Sequence, residues 1–439
     1  MNATHVILIF DIGKTNKKLL LFDEAYNMVY ESIEQFQEIK DEDGFDGEDI
    51  IKLKDWMLNS FKEIMRNNAF EIKAINFSGY GASFVLLDDN NKEITPLYNY
   101  LKPFDKKLQD IFYADYGGEQ ELAKLTASPI LGNLNSGMQL YRIKNELPIK
   151  FEALKTALHL PQYLSFLFTQ QLFSDITSIG CHTHLWNFNT KQYHAWVRQE
   201  GILDKLAPIK KSDEVIAVNF PLVPQPLKVG IGLHDSSAAL VPYIHSFQIP
   251  YVLISTGTWS ISLNPFNQSV LTDAELKQDC LCYISYTGNP IKASRLFAGN
   301  EHEQEIKKLA ELFNQPTDNY KAVDFNIAIY KNLIESVTLF NADTYEEAYH
   351  QVIFNIIQKQ VTSTNLVLHN ADVDQIFVDG GFSNNPVFMH FLAAAYPNKK
   401  VFAATLSQAS SLGAAMAIHR HWNTQPIPNQ LVQLKQYFY

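Results

Sequence analysis

Cysteine is scarce in this chain: three in 439 residues, Cys181, Cys280 and Cys282. An odd count with no repeated Cys-x-x-Cys excludes a disulfide framework and points to a reducing compartment, so a cytoplasmic location is expected. Cys280 and Cys282, without a second nearby pair, fall short of a closed metal site. Long apolar runs are also missing; no stretch of about 18 uncharged apolar residues exists, which excludes a spanning helix. The first 30 residues lack a secretory pattern, because Asp11 interrupts the only apolar opening. Basic clusters are absent too. The net charge of -11, with no Lys/Arg-rich half, argues against nucleic acid or an anionic membrane surface as partner. No Gly-x-Ser-x-Gly elbow marks a hydrolase.

What is present is material for large cores: 46% hydrophobic and 13% aromatic residues. At this length two domains of roughly 200 residues each are expected, acting on a small molecule. The opening "FDIGKTNKKLLLFD" contains Gly-Lys-Thr, the end of a P-loop, but Leu8 stands where the first P-loop glycine belongs. Downstream, Leu19 to Phe22 is a short apolar run, more strand than helix. The stretch therefore reads as strand, a turn carrying Asp11 and Gly13, then strand; an ordinary hairpin has the same pattern.

Residues 6–35 contain three strands, "VILIF", "KKLLLF" and "MVYESIEQF". The acidic "DEDGFDGED" misses the calcium-loop register, since Phe45 and Asp46 fall where a ligand and the glycine belong, and it reads as a solvated loop. A helix over about 50–67 should turn Ile51, Trp56, Phe61 and Ile64 inward. Strands at "KAINFSGYG" and "FVLLDD" follow, then helices with Pro- and Gly-marked turns and a hairpin at "THLWNFNTKQYH". His182 and His184 lie on one face if extended, yet no carboxylate completes a metal set and a polar hairpin accounts for them. "PLVPQPLKVGIG" is the strongest loop and boundary signal. At "YVLISTGTWSISLN", residues 251–264, the opening strand-turn-strand plan reappears. A long helix, "YEEAYHQVIFNIIQKQVTSTNLVL", leads to "DQIFVDGGFSNNPVFMHFLAAAY", with a strand "KVFAA" and a small-residue helix "QASSLGAAMAIHRHW" last. Two α/β lobes are the simplest reading.

The turns "DIGKTNK" and "STGTWS" are rich in backbone and hydroxyl donors, and successive N–H groups at glycine turns make anion-binding concavities suited to a polyphosphate. Asp11 can hold Mg²⁺ through water, because that ion dehydrates reluctantly. "VDGGFSNN" leaves room for a flat ring against the backbone. A kinase also needs a residue that accepts the proton of the acceptor hydroxyl. Asp235 in "GIGLHDSSAAL", after a Gly-rich turn and before a small-residue helix, is the candidate; it can equally cap a helix starting at Ser236.

Together these motifs resemble the FGGY carbohydrate kinases, of the actin, hexokinase and Hsp70 superfamily, over nearly the full length. "FDIGKTNKK" resembles the first phosphate motif, "INFSGYGASFVLLDDNN" the early sugar segment, "GLHDSSAAL" the catalytic segment, "STGTWSISL" the second phosphate motif, "FVDGGFSNNPVF" the adenosine motif and "SQASSLGAAMA" the closing helix. The rhamnulokinase branch is nearest, with fuculokinase close behind. The resemblance implies two RNase H-like lobes, residues 1–243 for sugar and base and 244–439 for ATP, with a nucleotide cleft between them. It implies ATP and Mg²⁺, and Asp235 as general base with Asp11 at the metal. Gly13, Lys14, Thr15 and Asn16, with Thr256, Gly257 and Thr258, match the phosphate loops; Gly380, Gly381 and Asn384 match the adenosine turn, and Gln304 the nucleotide side. Gly81 and His234 match positions near the sugar, beside Ser83 and Ser236.

Three departures stand out. Lys14 follows the glycine where small hydroxyl residues are usual, and either contacts phosphate or crowds the loop. Tyr80, Gly81, Ala82 and Ser83 replace Trp-Gly-Val-Asp, so a carboxylate that reads sugar hydroxyls is lost. Gln408 replaces an acid before the closing helix. The expected activity is ATP-dependent phosphorylation of a ketose, with 6-deoxyketoses such as L-rhamnulose or L-fuculose among the candidates, by a monomer or homodimer. The rival is a non-catalytic sugar- and nucleotide-binding regulator of the same fold.

Overall fold

The computed structural model describes residues 3–221, 225–335, 342–406 and 408–439. The chain separates into two compact units: 1–246 with 282–290 and 408–431, and 247–281 with 291–407 and 432–439. Among the described residues, no helix is long and apolar enough to cross a membrane.

The first unit is organised around a mixed sheet with the strand order Val215–Val218, Leu227–Gly230, Phe70–Gly79, Thr4–Ile12, Lys17–Asp23, Met28–Glu34; Leu233–His234 also pairs with Phe70–Gly79. From Val6 to Ile12 every residue is buried, which explains why the strand reads as a continuous apolar run rather than an alternating one. Its parallel register with Phe70–Gly79 places Asp11 beside Ser78 and Ile12 beside Gly79. Its antiparallel register with Lys17–Asp23 places Asp11 beside Lys18. One hairpin turn and the end of a parallel strand thus meet at Asp11.

The helix Ile50–Met65 is capped by Asp49, whose carboxylate accepts from the Lys52 amide, and it buries Ile50, Leu53, Met57, Phe61 and Ile64. Ile51 is exposed, contrary to the sequence expectation, because the buried stripe runs through Ile50, Leu53 and Met57 at the helical period. The acidic stretch also departs from expectation. Asp41, just after the short strand Ile39–Lys40, and Glu48, at the end of Asp46–Glu48, are buried, because buried lysines meet them: Lys102 donates to Asp41 at 2.7 Å and Lys17 lies 2.9 Å from Glu48. The boundary signal at 221–232 is not a boundary. Residues 222–224 lie outside the described residues, and Leu227–Gly230 is a strand inside the first sheet.

A second sheet, mainly in the second unit, has the order Cys280–Ile284, Pro290–Leu296, Ser260–Asn264, Tyr251–Thr256, Gln375–Gly380, Lys400–Thr405, Gln433–Tyr437. Tyr251–Thr256 and Ser260–Asn264 form an antiparallel pair, and Tyr251–Thr256 runs parallel to Gln375–Gly380. This repeats the plan of the first unit: a hairpin, then a parallel neighbour. The helix Tyr345–Leu368 opens with a Thr344/Glu347 capping box, worth about 1 kcal/mol.

The helix Ala409–Ala417 belongs to the first unit. A Cβ at Gly413 would stand 1.8 Å from the Ala238 carbonyl oxygen, so only glycine lets this helix lie against Asp235–Ser246. The Asn76 side chain donates to the Ala414 carbonyl at 2.7 Å, tying the helix to the sheet.

Candidate active site

At the turn after Thr4–Ile12, the Gly13 amide donates to the Asn16 carbonyl at 2.9 Å. The Lys17 ammonium, buried, donates to the carbonyls of Gly13 at 3.0 Å and Lys14 at 2.9 Å, holding the turn from beneath. Thr15 is exposed at its tip, and the Asn16 side chain accepts from Gln35 at 2.8 Å. The Lys14 ammonium pairs with Glu38 at 2.6 Å and lies 3.4 Å from Glu48. Burial pulls its pKa down, but the two carboxylates outweigh this and raise it.

Glu48 joins the turn to the end of the strand Phe70–Gly79, because its Oε1 also accepts from the Tyr80 hydroxyl at 2.7 Å. Glu48→Gln would leave Lys17 buried without its compensating charge. The expected cost is about 3 kcal/mol, read as a fall in the urea midpoint at unchanged m; a shift under 1 kcal/mol would show that Lys17 does not depend on Glu48.

Asp11 is 7% exposed, and its Oδ2 accepts from the hydroxyls of Ser410 and Ser411, each at 2.6 Å. The sequence reading missed both serines; their signal was two adjacent hydroxyls opening a helix otherwise made of small apolar residues. Asp235 is the first residue of its helix and not a cap preceding it, and its Oδ1 accepts from the Ser236 amide at 2.6 Å and the Ser236 hydroxyl at 3.3 Å. Protein crowds the carboxyl, yet 35% of the side chain stays exposed, so solvent reaches it. Desolvation first, and then the charge of Asp11, push its pKa up to about 7.

His234 is buried, with Nε2 3.2 Å from Asp235 Oδ1 and 3.2 Å from Cys181 Sγ. Burial lowers its pKa to about 3, so the ring is neutral. A Cβ at Gly81 would stand 2.9 Å from the His234 ring and 3.1 Å from Cys181 Sγ, which explains the glycine. Ser83 is 1% exposed, and its carbonyl accepts from the Leu160 amide at 3.2 Å. It stands at the entry to the strand Phe84–Leu87, which encloses it. His182 and His184 do not share a face: His182 Nδ1 lies 3.1 Å from the Leu134 carbonyl, and His184 Nδ1 lies 2.7 Å from the Thr126 hydroxyl. Gln408 accepts from Lys18 at 2.7 Å and donates to Glu31 at 2.8 Å, which a carboxylate could not do.

In the second unit, the Thr256 hydroxyl donates to the Asp379 carbonyl at 2.5 Å and accepts from the Phe382 amide at 3.0 Å, joining two turns. Gly257 and Thr258 are exposed. Gly380 adopts φ +83, and a Cβ there would stand 1.9 Å from the Thr256 carbonyl oxygen. A cavity of about 380 Å³ is lined by Gly257, His302, Tyr320, Gly381, Phe382 and Asn384, among others. Its aromatic walls meet edge to face, His302 lying 4.9 Å from Tyr320 and 5.3 Å from Phe382. Gln304 is exposed and outside this lining. It stands two residues beyond His302 on the same helix, roughly 200° round the axis, so that helix presents His302 instead. Tyr320 comes from a polar stretch with no sequence signal.

The chain aligns with solved carbohydrate kinases over almost its whole length. A xylulose kinase from Lactobacillus acidophilus superposes with a TM-score of 0.83 at 17% identity, covering 99% of this chain and 94% of that one. A carbohydrate kinase from Novosphingobium aromaticivorans gives 0.80 at 22% identity, with the same coverage. The fold is therefore that of the two-domain carbohydrate kinases. Residues 6–241 match the N-terminal domain of the FGGY family of carbohydrate kinases and residues 248–426 its C-terminal domain. The chain belongs to this family and is a sugar kinase. A rhamnulokinase of Oceanobacillus iheyensis is 21% identical over 386 residues, 79% of this chain and 78% of that protein. A probable L-xylulose kinase of Haemophilus influenzae is 26% identical over 275 residues, 58% of this chain and 55% of that protein. Rhamnulokinases among the relatives agree with the branch that the sequence resembles.

Proposed function

We propose that the protein transfers the γ-phosphate of ATP to a hydroxyl of a ketose, with Asp235 as general base. A 6-deoxyketose such as L-rhamnulose or L-fuculose is the preferred acceptor class, on the strength of the rhamnulokinase relatives. The observation that carries the reading is Asp235: a solvent-reached carboxyl beside Asp11 with its pKa raised to about 7, where a base is best matched to neutral solution. Asp235 accepts the hydroxyl proton as the sugar oxygen attacks. Neutral His234, 3.2 Å away, holds that carboxyl in place. The cavity of the second unit would hold the adenine between Tyr320, Phe382 and the backbone of Gly381.

Magnesium suits the residues present. Asp11 offers a carboxylate whose Oδ2 is fixed by two hydroxyls, a hard-oxygen set, and a divalent cation there would offset its repulsion of Asp235. When bound, that ion neutralises charge on the phosphates. The enzyme is expected to act in the cytoplasm. An ATP-consumption screen over ketoses, aldoses and polyols tests the proposal; turnover should be highest with a ketose. Saturable sugar binding with no ATP consumed by any acceptor would favour the non-catalytic regulator.

A further inference from the structure

Three buried side chains of the first unit that phosphate transfer does not require as a group converge beside Asp235. Cys181, His182 and His234 each direct a ligand-type atom to within 4.8 Å of the other two. The grouping is invisible in the sequence, because His234 stands 53 positions after Cys181 and only folding brings its Nε2 to 3.2 Å from Cys181 Sγ. His182 Nδ1 faces the Leu134 carbonyl at 3.1 Å and so must carry the ring proton, leaving the lone pair on Nε2. A histidine that donates one ring N–H to a backbone carbonyl and keeps the other nitrogen for a metal is the usual second-shell arrangement.

One thiol and two imidazoles form a donor set that zinc takes. With Zn–S of about 2.3 Å and Zn–N of about 2.0–2.1 Å, tetrahedral ligand atoms lie roughly 3.3–3.6 Å apart. The Cys181–His234 pair, at 3.2 Å, opens by a few tenths of an ångström, and a pair at the 4.8 Å limit closes by roughly 1 Å. Magnesium, which demands oxygen ligands, would not compete.

We propose that Cys181, His182 and His234 form a binding site for Zn²⁺, with its fourth position open to water or to Asp235. His234 Nε2, the atom that would bind the ion, is also the atom 3.2 Å from Asp235 Oδ1. Occupancy therefore removes that contact and sets the ion, with any water it carries, against the carboxyl that the acceptor must reach. Zinc is then an inhibitor. This consequence rests on the role given to Asp235; the metal site itself does not.

The test uses the full chain. Calorimetric titration with Zn²⁺ should show one equivalent bound, weakened at least tenfold in Cys181→Ser and in His182→Gln, with thermal unfolding used to confirm that both variants fold. Co²⁺ should give thiolate charge-transfer absorption in the near ultraviolet that Cys181→Ser lacks. Zn²⁺ should suppress turnover of the natural protein, with recovery on adding a chelator, and both variants should resist. Failure to bind one equivalent, or equal affinity in the natural protein and both variants, overturns the site. Stoichiometric binding with undiminished turnover overturns the coupling to Asp235 alone. The calorimetric and cobalt measurements need no sugar, so they stand even if no acceptor is phosphorylated.

Discussion

Asp235→Asn lowers kcat by about 10²–10⁴-fold, the range of a lost general base, while ATP still binds, since the cavity with aromatic walls lies in the second unit. The pH profile gives a sharper test. A base with its pKa raised to about 7 makes kcat/KM rise with pH up to about 7 and level off above it, and the asparagine variant loses that limb. Asp11→Asn removes the second cause of the raised pKa, so its residual activity should show the limb displaced to lower pH. Stability moves the other way. The folded carboxyl holds its proton more tightly than the unfolded one, whose pKa is near 3.8. The native state therefore binds more protons between about pH 4 and 7, and native stability falls as pH rises through that window. Asp235→Asn should then melt higher than the natural protein at pH 8 and lose this advantage towards pH 4. Full turnover by the variant, or no difference in melting at pH 8, would remove Asp235 from its assigned role.

Gly380→Ala and Gly381→Ala should separate cleanly although the residues are neighbours. At Gly380 the backbone is left-handed, and a Cβ would lie 1.9 Å from the Thr256 carbonyl oxygen. That atom is part of the strand and cannot retreat, so strain and overpacking together cost about 3 kcal/mol or more. At Gly381 a Cβ would meet nothing within 4 Å, so alanine there leaves the melting temperature unchanged. Yet Gly381 lines the cavity, and a methyl there takes space that the proposed adenine needs. Gly381→Ala is expected to weaken ATP binding at least tenfold by calorimetry; unchanged affinity would place the base elsewhere.

These two glycines show where sequence reasoning reaches and where it stops. The motif "VDGGFSNN" fixes a strand, a turn and a helix, and the observed Gln375–Gly380, Gly381–Asn384 and Pro386–Ala395 follow it. It does not distinguish a glycine required by the backbone from one required by a ligand, because that depends on what stands across the gap. Local patterns were readable for the same reason throughout: the run "VILIF" carries its continuous apolar character, and the helix from Tyr345 its capping box, within a few residues. Long-range partners were not. Nothing near Asp11 announces Ser410 and Ser411, nothing in "DEDGFDGED" announces Lys17 and Lys102, and Gly81 explains itself only once His234 and Cys181 fill the space beside it. Charged stretches misled most, since a carboxylate turns inward when a buried lysine is waiting for it.

The return of the helix Ala409–Ala417 to the first unit has a kinetic consequence. Asp11 receives its two hydroxyls, and Asn76 its carbonyl, from residues made nearly 400 and 340 positions later. A ribosome adding about 5–20 residues per second needs roughly ten seconds or more to reach that helix after residue 246 has emerged. During that interval the face beneath Gly413 is bare, and the Asp11 carboxylate and the Asn76 side-chain NH₂ wait for the groups they meet in that helix. The half of the protein synthesised first therefore stays unfinished until residues 408–431 are made, long after its own first 246 residues.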